Sequence, residues 1–179
     1  MLISLGIIIL AIVIDQVTKL IASSSIPLNS PDIVWIPHLL EFSYHHNDGM
    51  SFGLLEGQQV LFMIATIIAL LMFGYLFLDT DYKSKKVYSV SIALFIGGTL
   101  GNAIDRSLYG YVIDFMHFPF LDGVLNAVGL SNFYNNFADM FLSAAIVLFA
   151  IDVFFLEGKR KKKESLKHAE TPENWSRTS

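Results

Sequence analysis

Long apolar runs separated by polar segments predict four membrane-spanning helices. The second and fourth runs are nearly uninterrupted, and Thr66 is the one clearly polar residue of the second. The first and third are shorter than the roughly 20 residues needed to cross a bilayer, so we extend each of them through a few polar residues. The predicted spans are therefore about 2–22, 58–78, 87–106 and 137–156.

The two polar segments on one side of these spans have different patterns. Ser23–Gln59 is broken by prolines and contains short alternating stretches at Ile33–Ile36 and Leu39–Tyr44, which predict β-strands. A turn is indicated at Asn47–Gly49. Ser107–Asn135 is rich in aromatic residues suited to a membrane interface. We therefore expect a small β-rich segment lying on the membrane.

Composition agrees with a membrane domain. The 179 residues are 54% hydrophobic and 16% charged, whereas soluble proteins usually carry about a quarter charged residues. We predict one integral-membrane domain, residues 1–158, followed by a basic and disordered cytoplasmic tail, residues 159–179. The fold class we predict is an all-α membrane protein with a small β-rich extracytoplasmic part.

Several kinds of chemistry are excluded or not indicated. The absence of cysteine excludes disulfides, zinc–thiolate sites and a cysteine nucleophile. His38, His45, His46 and His117 do not have the spacing of metal ligands, so we predict no metal and no cofactor. The basic cluster is a short tail, which gives no indication of a nucleic-acid partner.

The distribution of Lys and Arg predicts the orientation. The loop between the second and third spans holds Lys83, Lys85 and Lys86, and residues 159–179 hold seven more basic residues, whereas 23–59 and 107–135 hold none. Because positive charges stay on the cytoplasmic side, we predict that both termini and this lysine loop are cytoplasmic. Polar residues from separate stretches then fall at the outer face: Asp15, Lys19, Asn102, Asp105, Arg106 and Asp139.

Asp114 and Asp139 are the predicted catalytic residues. Ionisable groups at the edge of the hydrocarbon layer are costly, so they are rare unless they are functional or paired. Two neighbouring carboxylates share a proton, so the ionised one activates water while the protonated one polarises a carbonyl group. The polar stretches that contain the two aspartates also contain Asn102 and Asn136. These asparagines favour a catalytic pair over the alternative that both aspartates are ordinary carboxylates at the membrane interface.

The other charged residues fit two roles each. Asp15 and Lys19 are four residues apart and can form a structural pair on one helix face, or they can hold a substrate backbone or a lipid head group. Asp105 and Arg106 can cap and anchor the third helix, and Arg106 is also suited to bind a carboxylate or phosphate. Asn102 and Arg106 share one face.

Two other classes of function compete with an enzyme. A proton-coupled transporter would use Asp15, Lys19, Asp105 and Arg106, but it requires polar groups through the whole depth of the membrane, and the second and fourth spans are nearly bare below the outer face. A structural subunit would use the polar groups only to join helices. The structural interpretation does not account for two aspartates at one interface.

Five short motifs, taken in order, resemble those of the bacterial lipoprotein signal peptidases (signal peptidase II). The resemblance covers roughly residues 5–156. The motifs are Asp15-Gln16-Val17-Thr18-Lys19, Asn47-Asp48-Gly49 with Phe52-Gly53, Gly101-Asn102-Ala103-Ile104-Asp105-Arg106, Val112-Ile113-Asp114-Phe115 and Asn136-Phe137-Ala138-Asp139.

The resemblance implies an intramembrane aspartic endopeptidase of a bacterial cell membrane. It implies four transmembrane helices with an extracytoplasmic β-cradle and a short interfacial helix. Its substrates would be diacylglyceryl-modified prolipoproteins, cut just before the lipidated cysteine, and we expect a monomer. Asp114 and Asp139 would be catalytic, with the following residues supporting them or binding substrate: Asp15, Lys19, Asn47, Gly49, Asn102, Arg106, Asn136 and Ala138.

The chain departs from the family pattern at a few positions. His46 stands where an arginine is usual, Met50-Ser51 replaces a pair of alanines, and Asn135 replaces an aromatic residue. The segment Met116–Phe133 is also longer than usual. These departures concern the predicted loop contacts and substrate preference, not the two aspartates.

Overall fold

The computed structural model describes residues 1–49, 59–127 and 133–169. These ranges contain six α-helices and four short strands. The helices are α1 (Leu2–Ser25), α2 (Gln59–Phe77), α3 (Lys86–Tyr109), α4 (Asp122–Ala127), α5 (Phe137–Ile151) and α6 (Glu157–Ala169). The strands are β1 (Ile33–Ile36), β2 (Leu40–Asn47), β3 (Val112–His117) and β4 (Tyr134–Asn135).

Four helical segments within the described ranges are long and apolar enough to cross a membrane. They are Leu2–Ser25, Val60–Phe77, Lys86–Tyr109 and Phe137–Lys163. The number of spans predicted from the sequence is therefore confirmed. α3 is the central helix and packs against α1, α2 and α5. α2 instead leaves most of its apolar side chains on the outside, which is the arrangement expected of a helix that faces lipid.

Two glycines allow α1 and α5 to approach α3 closely. A Cβ atom at Gly97 would lie 2.7 Å from the Cβ of Ala11, and one at Gly101 would lie 3.2 Å from the Cβ of Ala138. Real Cβ atoms essentially never approach to 2.7 Å, so a side chain at Gly97 would force α1 and α3 apart. Small residues serve this purpose at helix interfaces in membranes.

We expect Gly97→Ala to lower the thermal stability of the protein in detergent. The added methyl group overpacks the α1–α3 contact, which typically costs about 1–3 kcal/mol. Gly74→Ala is the matched control, because a Cβ atom at Gly74 meets nothing within 4 Å and alanine favours helix. Equal unfolding temperatures for the two variants would contradict the close packing at Gly97.

The four strands form one antiparallel sheet in the order β1-β2-β3-β4, which we call the cradle. Ile33–Ile36 was predicted as a strand and is β1, while the strand predicted at Leu39–Tyr44 is β2 and runs on to Asn47. β3 and β4 were not predicted. β3 lies between two neighbouring strands and is buried on both faces, so it lacks the alternating pattern that marks a half-exposed strand.

A cluster of carboxylates around His117 connects the elements of the cradle. The ring Nδ1 atom lies 3.1 Å from Glu41 and 3.4 Å from Asp32, and Nε2 lies 3.0 Å from Asp122 on α4. Burial acts to lower the pKa of His117, but the hydrogen bonds to Asp122 and Glu41 outweigh it and raise the pKa. These residues come from separate stretches of the sequence, so the cluster could not be predicted from the sequence.

The predicted disordered tail differs from the structure at its beginning. A short π-helical segment, Asp152–Leu156, leads from α5 into α6, which continues to Ala169. The guanidinium of Arg160 donates two hydrogen bonds of 2.6 Å to the buried Asp152, and Lys161 pairs with Glu157 one turn earlier. These pairs extend the helix into the basic sequence. The last ten predicted tail residues, 170–179, lie outside the described ranges.

Candidate functional site

Asp114 is held by two asparagine side chains in the middle of the cradle. It lies on β3 opposite His45 of β2 and is 2% exposed. Asn47 Nδ2 donates a 2.7 Å hydrogen bond to Asp114 Oδ2, and Asn136 Nδ2 donates one of 2.7 Å to Asp114 Oδ1. Both carboxylate oxygens are therefore fixed in position.

Asp139 is fixed by the start of α5 and by α3. Asn136 caps this helix, and its Oδ1 accepts a 3.0 Å hydrogen bond from the Asp139 backbone N–H, while the Asn136 N–H donates in return to Asp139 Oδ2 at 3.4 Å. This reciprocal arrangement is a capping box. Asn102 of α3 adds a 2.8 Å bond from Nδ2 to Asp139 Oδ1.

The two predicted catalytic aspartates are brought together by one residue. Asn136 donates to Asp114 through Nδ2 and contacts Asp139 through both its backbone N–H and its Oδ1. Burial raises the pKa of Asp114 to about 8, and the nearby negative charge of Asp139 adds to this, whereas the bonds from Asn47 and Asn136 act in the opposite direction. At neutral pH the carboxyl group of Asp114 therefore holds a proton.

Gly49 orients Asn47 towards Asp114. Its backbone N–H donates a 3.1 Å hydrogen bond to Asn47 Oδ1, which closes a short turn of the kind that asparagine side chains form. The amide oxygen is thereby occupied, and the Nδ2 group is directed at the aspartate. The predicted turn at Asn47–Gly49 is confirmed for these residues, and Phe52-Gly53 of the same motif lies outside the described ranges.

Behind the aspartates lies a buried ion network centred on Lys19. The ammonium group is 2.8 Å from Asp15 Oδ2, 2.9 Å from Asp105 Oδ2 and 2.9 Å from Asn102 Oδ1. Lys19 is 1% exposed, so it does not extend to the membrane surface. The predicted pairing of Asp15 with Lys19 is confirmed, and the network also determines which way the Asn102 amide points.

Asp105 and Gln16 are members of this network that sequence reasoning assigned to other roles or omitted. Asp105 Oδ2 accepts a 3.1 Å hydrogen bond from the backbone N–H of Ile113, next to Asp114, and Gln16 Nε2 donates to Asp105 Oδ1 at 2.9 Å. Asp105 therefore connects α3 to β3 rather than only capping its own helix. Its spacing of three residues from Asn102 was the available signal.

Asp15 joins α1 to the start of α5. Its Oδ1 atom accepts a 2.9 Å hydrogen bond from the backbone N–H of Ala138, one of the amides that a helix leaves unpaired in its first turn. Ala138 is fully buried against Gly101, so a larger side chain would disturb this contact. The resemblance had assigned Ala138 a supporting role, and the structure shows a contact through its backbone.

Arg106 has a different neighbour from the one expected. Its guanidinium lies over the ring of Phe62 on α2, 5.0 Å from the ring centre, and no carboxylate among the described residues forms an ion pair with it. The charges of Asp139, Asp114 and Asp105 are still close enough to act on it. The guanidinium therefore supplies positive charge beside the aspartates without neutralising either of them through a direct pair.

The structure shows where several of the residues that depart from the family pattern lie. His46 stacks on Tyr111 with ring centres 3.7 Å apart, and its Nε2 lies 2.7 Å from the Tyr44 hydroxyl. Burial lowers the pKa of His46, so the ring is neutral at pH 7. Asn135 is buried in β4. The segment after β3 folds as a turn of 3₁₀ helix and α4, while Met50-Ser51 lies outside the described ranges.

An apolar cavity of about 520 Å³ adjoins the site. It lies between the C-terminal part of α1 and the cradle, and its walls include Phe115 and Phe137, the residues that follow Asp114 and Asn136. Trp35 and Phe42 form its other side. The polar residues around the two aspartates therefore lie next to an apolar cavity.

Comparison with known proteins gives consistent matches. The family model described as signal peptidase (SPase) II matches residues 7–155. A lipoprotein signal peptidase of Clostridium tetani is 35% identical over 158 residues, which is 88% of this chain and 96% of the relative. One of Acinetobacter baylyi is 37% identical over 172 residues, covering 93% of this chain and 90% of the relative.

Solved structures agree with these sequence matches. A bacterial membrane enzyme solved at 2.3 Å resolution has a TM-score of 0.71 and 32% identity, covering 84% of this chain and 86% of that one. A second bacterial membrane enzyme, solved at 1.9 Å, has a TM-score of 0.70 and 33% identity, covering 86% and 93%. The family match, which covers residues 7–155, includes both aspartates.

Proposed function

Since the chain belongs to the signal peptidase II family, we propose that it is an aspartic endopeptidase that removes the signal peptide from diacylglyceryl-modified prolipoproteins. Asp114 and Asp139 are the catalytic pair in this proposal. The observation that carries it is the contact of Asn136 with both aspartates, which holds the two carboxyl groups at one site. The alternative of a proton-coupled transporter is not supported by the family or by the named relatives.

The chemistry follows from one shared proton. The ionised carboxylate takes a proton from water, and the resulting oxygen nucleophile attacks the scissile carbonyl carbon while the protonated carboxyl group donates its proton to the carbonyl oxygen. The tetrahedral intermediate then collapses: one of its hydroxyl groups returns a proton to the carboxylate that acted as the acid, the C=O bond forms again, the C–N bond breaks, and the leaving nitrogen receives the proton that water gave up. The released carboxyl and amino groups contain all the atoms of the water molecule, and no cofactor takes part in this scheme.

The other polar residues have positioning roles in this proposal. Asn47 and Asn136 hold Asp114, and Asn102 and the cap of α5 hold Asp139. Arg106 contributes a nearby positive charge that stabilises the partial negative charge developing on the carbonyl oxygen as water attacks. The apolar cavity beside Asp114 supports a substrate with an apolar group next to the cut bond, as a diacylglyceryl cysteine would provide.

The direct test is cleavage of a lipid-modified prolipoprotein by the purified protein in detergent. We expect cleavage before the modified cysteine and a kcat/KM that falls as the pH rises above about 8, because the raised pKa of Asp114 means that its required proton is lost there. The same precursor without the lipid is the substrate control. A rate that stays constant well above this pH, with the protein still folded, would contradict the assigned acid.

We also propose that both termini are cytoplasmic and that the site faces outward in a monomeric protein. The site lies where α1 and α3 end and α5 begins, while the lysine loop and α6 lie at the opposite end of the spans. A reporter fused after Ser179 is expected to be active only in the cytoplasm. Activity only outside the cell would reverse the orientation, and the mass of the protein in detergent tests the monomer.

A further inference from the structure

A second polar groove lies at the end of the spans opposite the aspartates. It has a volume of about 290 Å³ and lies between the beginning of α3 and α6. Four basic residues line it: Lys86, Lys159, Arg160 and Lys163. The remaining lining includes Val87 and Leu156, which are apolar and belong to the ends of spans. The groove thus combines a positive rim with an apolar wall.

The arrangement of these basic residues depends on a buried ion pair. Asp152 is 1% exposed and accepts two 2.6 Å hydrogen bonds from Arg160, which joins the end of α5 to α6 across the π-helical segment. Lys159 and Lys163 are four residues apart on α6 and therefore share one face. That face lies along the groove opposite Lys86, which belongs to a different part of the chain.

The groove has more positive than negative charge. Asp152 balances Arg160, but within the described side chains no ion pair is formed by Lys86, Lys159 or Lys163. Neighbouring lysines that do have partners lie outside the groove: Lys85 pairs with Asp79 and Lys161 pairs with Glu157. The first backbone N–H groups of α3 lie beside Lys86 and add partial positive charge. Like charges that converge in this way are stabilised by an anion.

We propose that this groove binds the phosphate group of an anionic phospholipid. The ammonium groups suit a phosphate, and Val87 and Leu156 place the site at the depth where a head group meets its acyl chains. Free inorganic phosphate shares the charge but does not use the apolar wall. If the basic residues served only to orient the protein in the membrane, only the number of positive charges would matter. Binding of a phosphate in this groove instead depends on the particular lysines that line it.

The test compares two double variants of the full-length protein. Lys86→Gln with Lys163→Gln removes two charges from the groove. Lys83→Gln with Lys162→Gln removes one charge from the same loop region and one from α6, but neither residue lines the groove. All four side chains are exposed, so we expect both variants to fold, and thermal unfolding verifies this.

The measurement is saturable binding of fluorescent phosphatidylglycerol to the purified protein in a nonionic detergent. We expect the groove variant to bind at least about fivefold more weakly than the wild type, as one lysine near a lipid surface contributes about that factor, and the control variant to stay within about twofold. Unlabelled phosphatidylglycerol should compete, while phosphatidylcholine should not. A third variant, Lys86→Arg with Lys163→Arg, keeps the charge and should retain binding.

Three results would overturn the proposal. Equal losses in the groove and control variants would show that the total basic charge attracts the lipid. Absence of saturable phosphatidylglycerol binding would exclude the site. Competition by inorganic phosphate as effective as that by the unlabelled lipid would assign the groove to a free phosphate instead.

Discussion

Asp114→Asn and Asp139→Asn are each expected to reduce kcat/KM for prolipoprotein cleavage by a factor on the order of 10³ to 10⁴. Asparagine keeps the shape of the side chain but neither accepts a proton from water nor donates one to the carbonyl oxygen or the leaving nitrogen. Because the two aspartates act as one unit, we expect the double variant to be no slower than the slower single variant. Product formation is measured by the mobility shift of the mature lipoprotein.

The controls separate lost chemistry from lost structure. Each aspartate accepts two hydrogen bonds, so an asparagine directs its amide group at one of the existing donors, and thermal unfolding has to accompany every rate. Asp81→Asn is the matched substitution, because Asp81 is an exposed residue of the lysine loop. Substantial turnover by either active-site variant, or a comparable loss in Asp81→Asn, would contradict the catalytic pair.

The membrane helices could be predicted from the sequence because hydrocarbon imposes a simple requirement. A helix that faces lipid must be apolar over its whole length, and α2 meets this condition with little dependence on its neighbours. β3 could not be predicted in the same way. Its burial results from β2 and β4 on either side and from packing of Ile113, Phe115 and Met116 near Ala22 of α1, which are contacts distant in sequence.

The candidate site, too, could be predicted only in part from the sequence. The lengths of the spans predict that Asp15, Lys19 and Asn102 lie at one depth in the membrane. Whether Lys19 turns inward or extends to the surface depends on how α1 is rotated against α3, and Gly97 of α3 allows these two helices to approach closely. Sequence reasoning therefore left the role of Lys19 open, and the inward contact with Asp105 resolves it.

The beginning of the tail was wrongly predicted as disordered because the prediction used only its composition and not the residues that its side chains contact. A run of Lys and Arg is typical of a solvated segment, but lysine and arginine are also good helix formers. The buried pair of Asp152 with Arg160 provides a tertiary contact that favours continuation of the helix.

Lys19→Met is expected to cause the largest loss of stability among the substitutions considered. It leaves Asp15 and Asp105 buried near each other without their shared positive charge, and removal of one partner from a buried pair typically costs about 3–5 kcal/mol. Lys85→Met is the matched control, because the pair of Lys85 with Asp79 is largely exposed and such pairs contribute less than about 1 kcal/mol. Unfolding in denaturant measures both.

A triple variant distinguishes the lost charge from lost packing. Adding Asp15→Asn and Asp105→Asn to Lys19→Met removes the unpaired charges, while an amide oxygen remains to accept from the backbone N–H groups of Ala138 and Ile113. We expect this variant to regain more than half of the lost stability. Cleavage should stay slow, because Asn102 has lost the ammonium group that directs its amide towards Asp139. If Lys19→Met is as stable as Lys85→Met, the network does not hold α1 and α3 together. If the triple variant regains full activity, Lys19 has no positioning role.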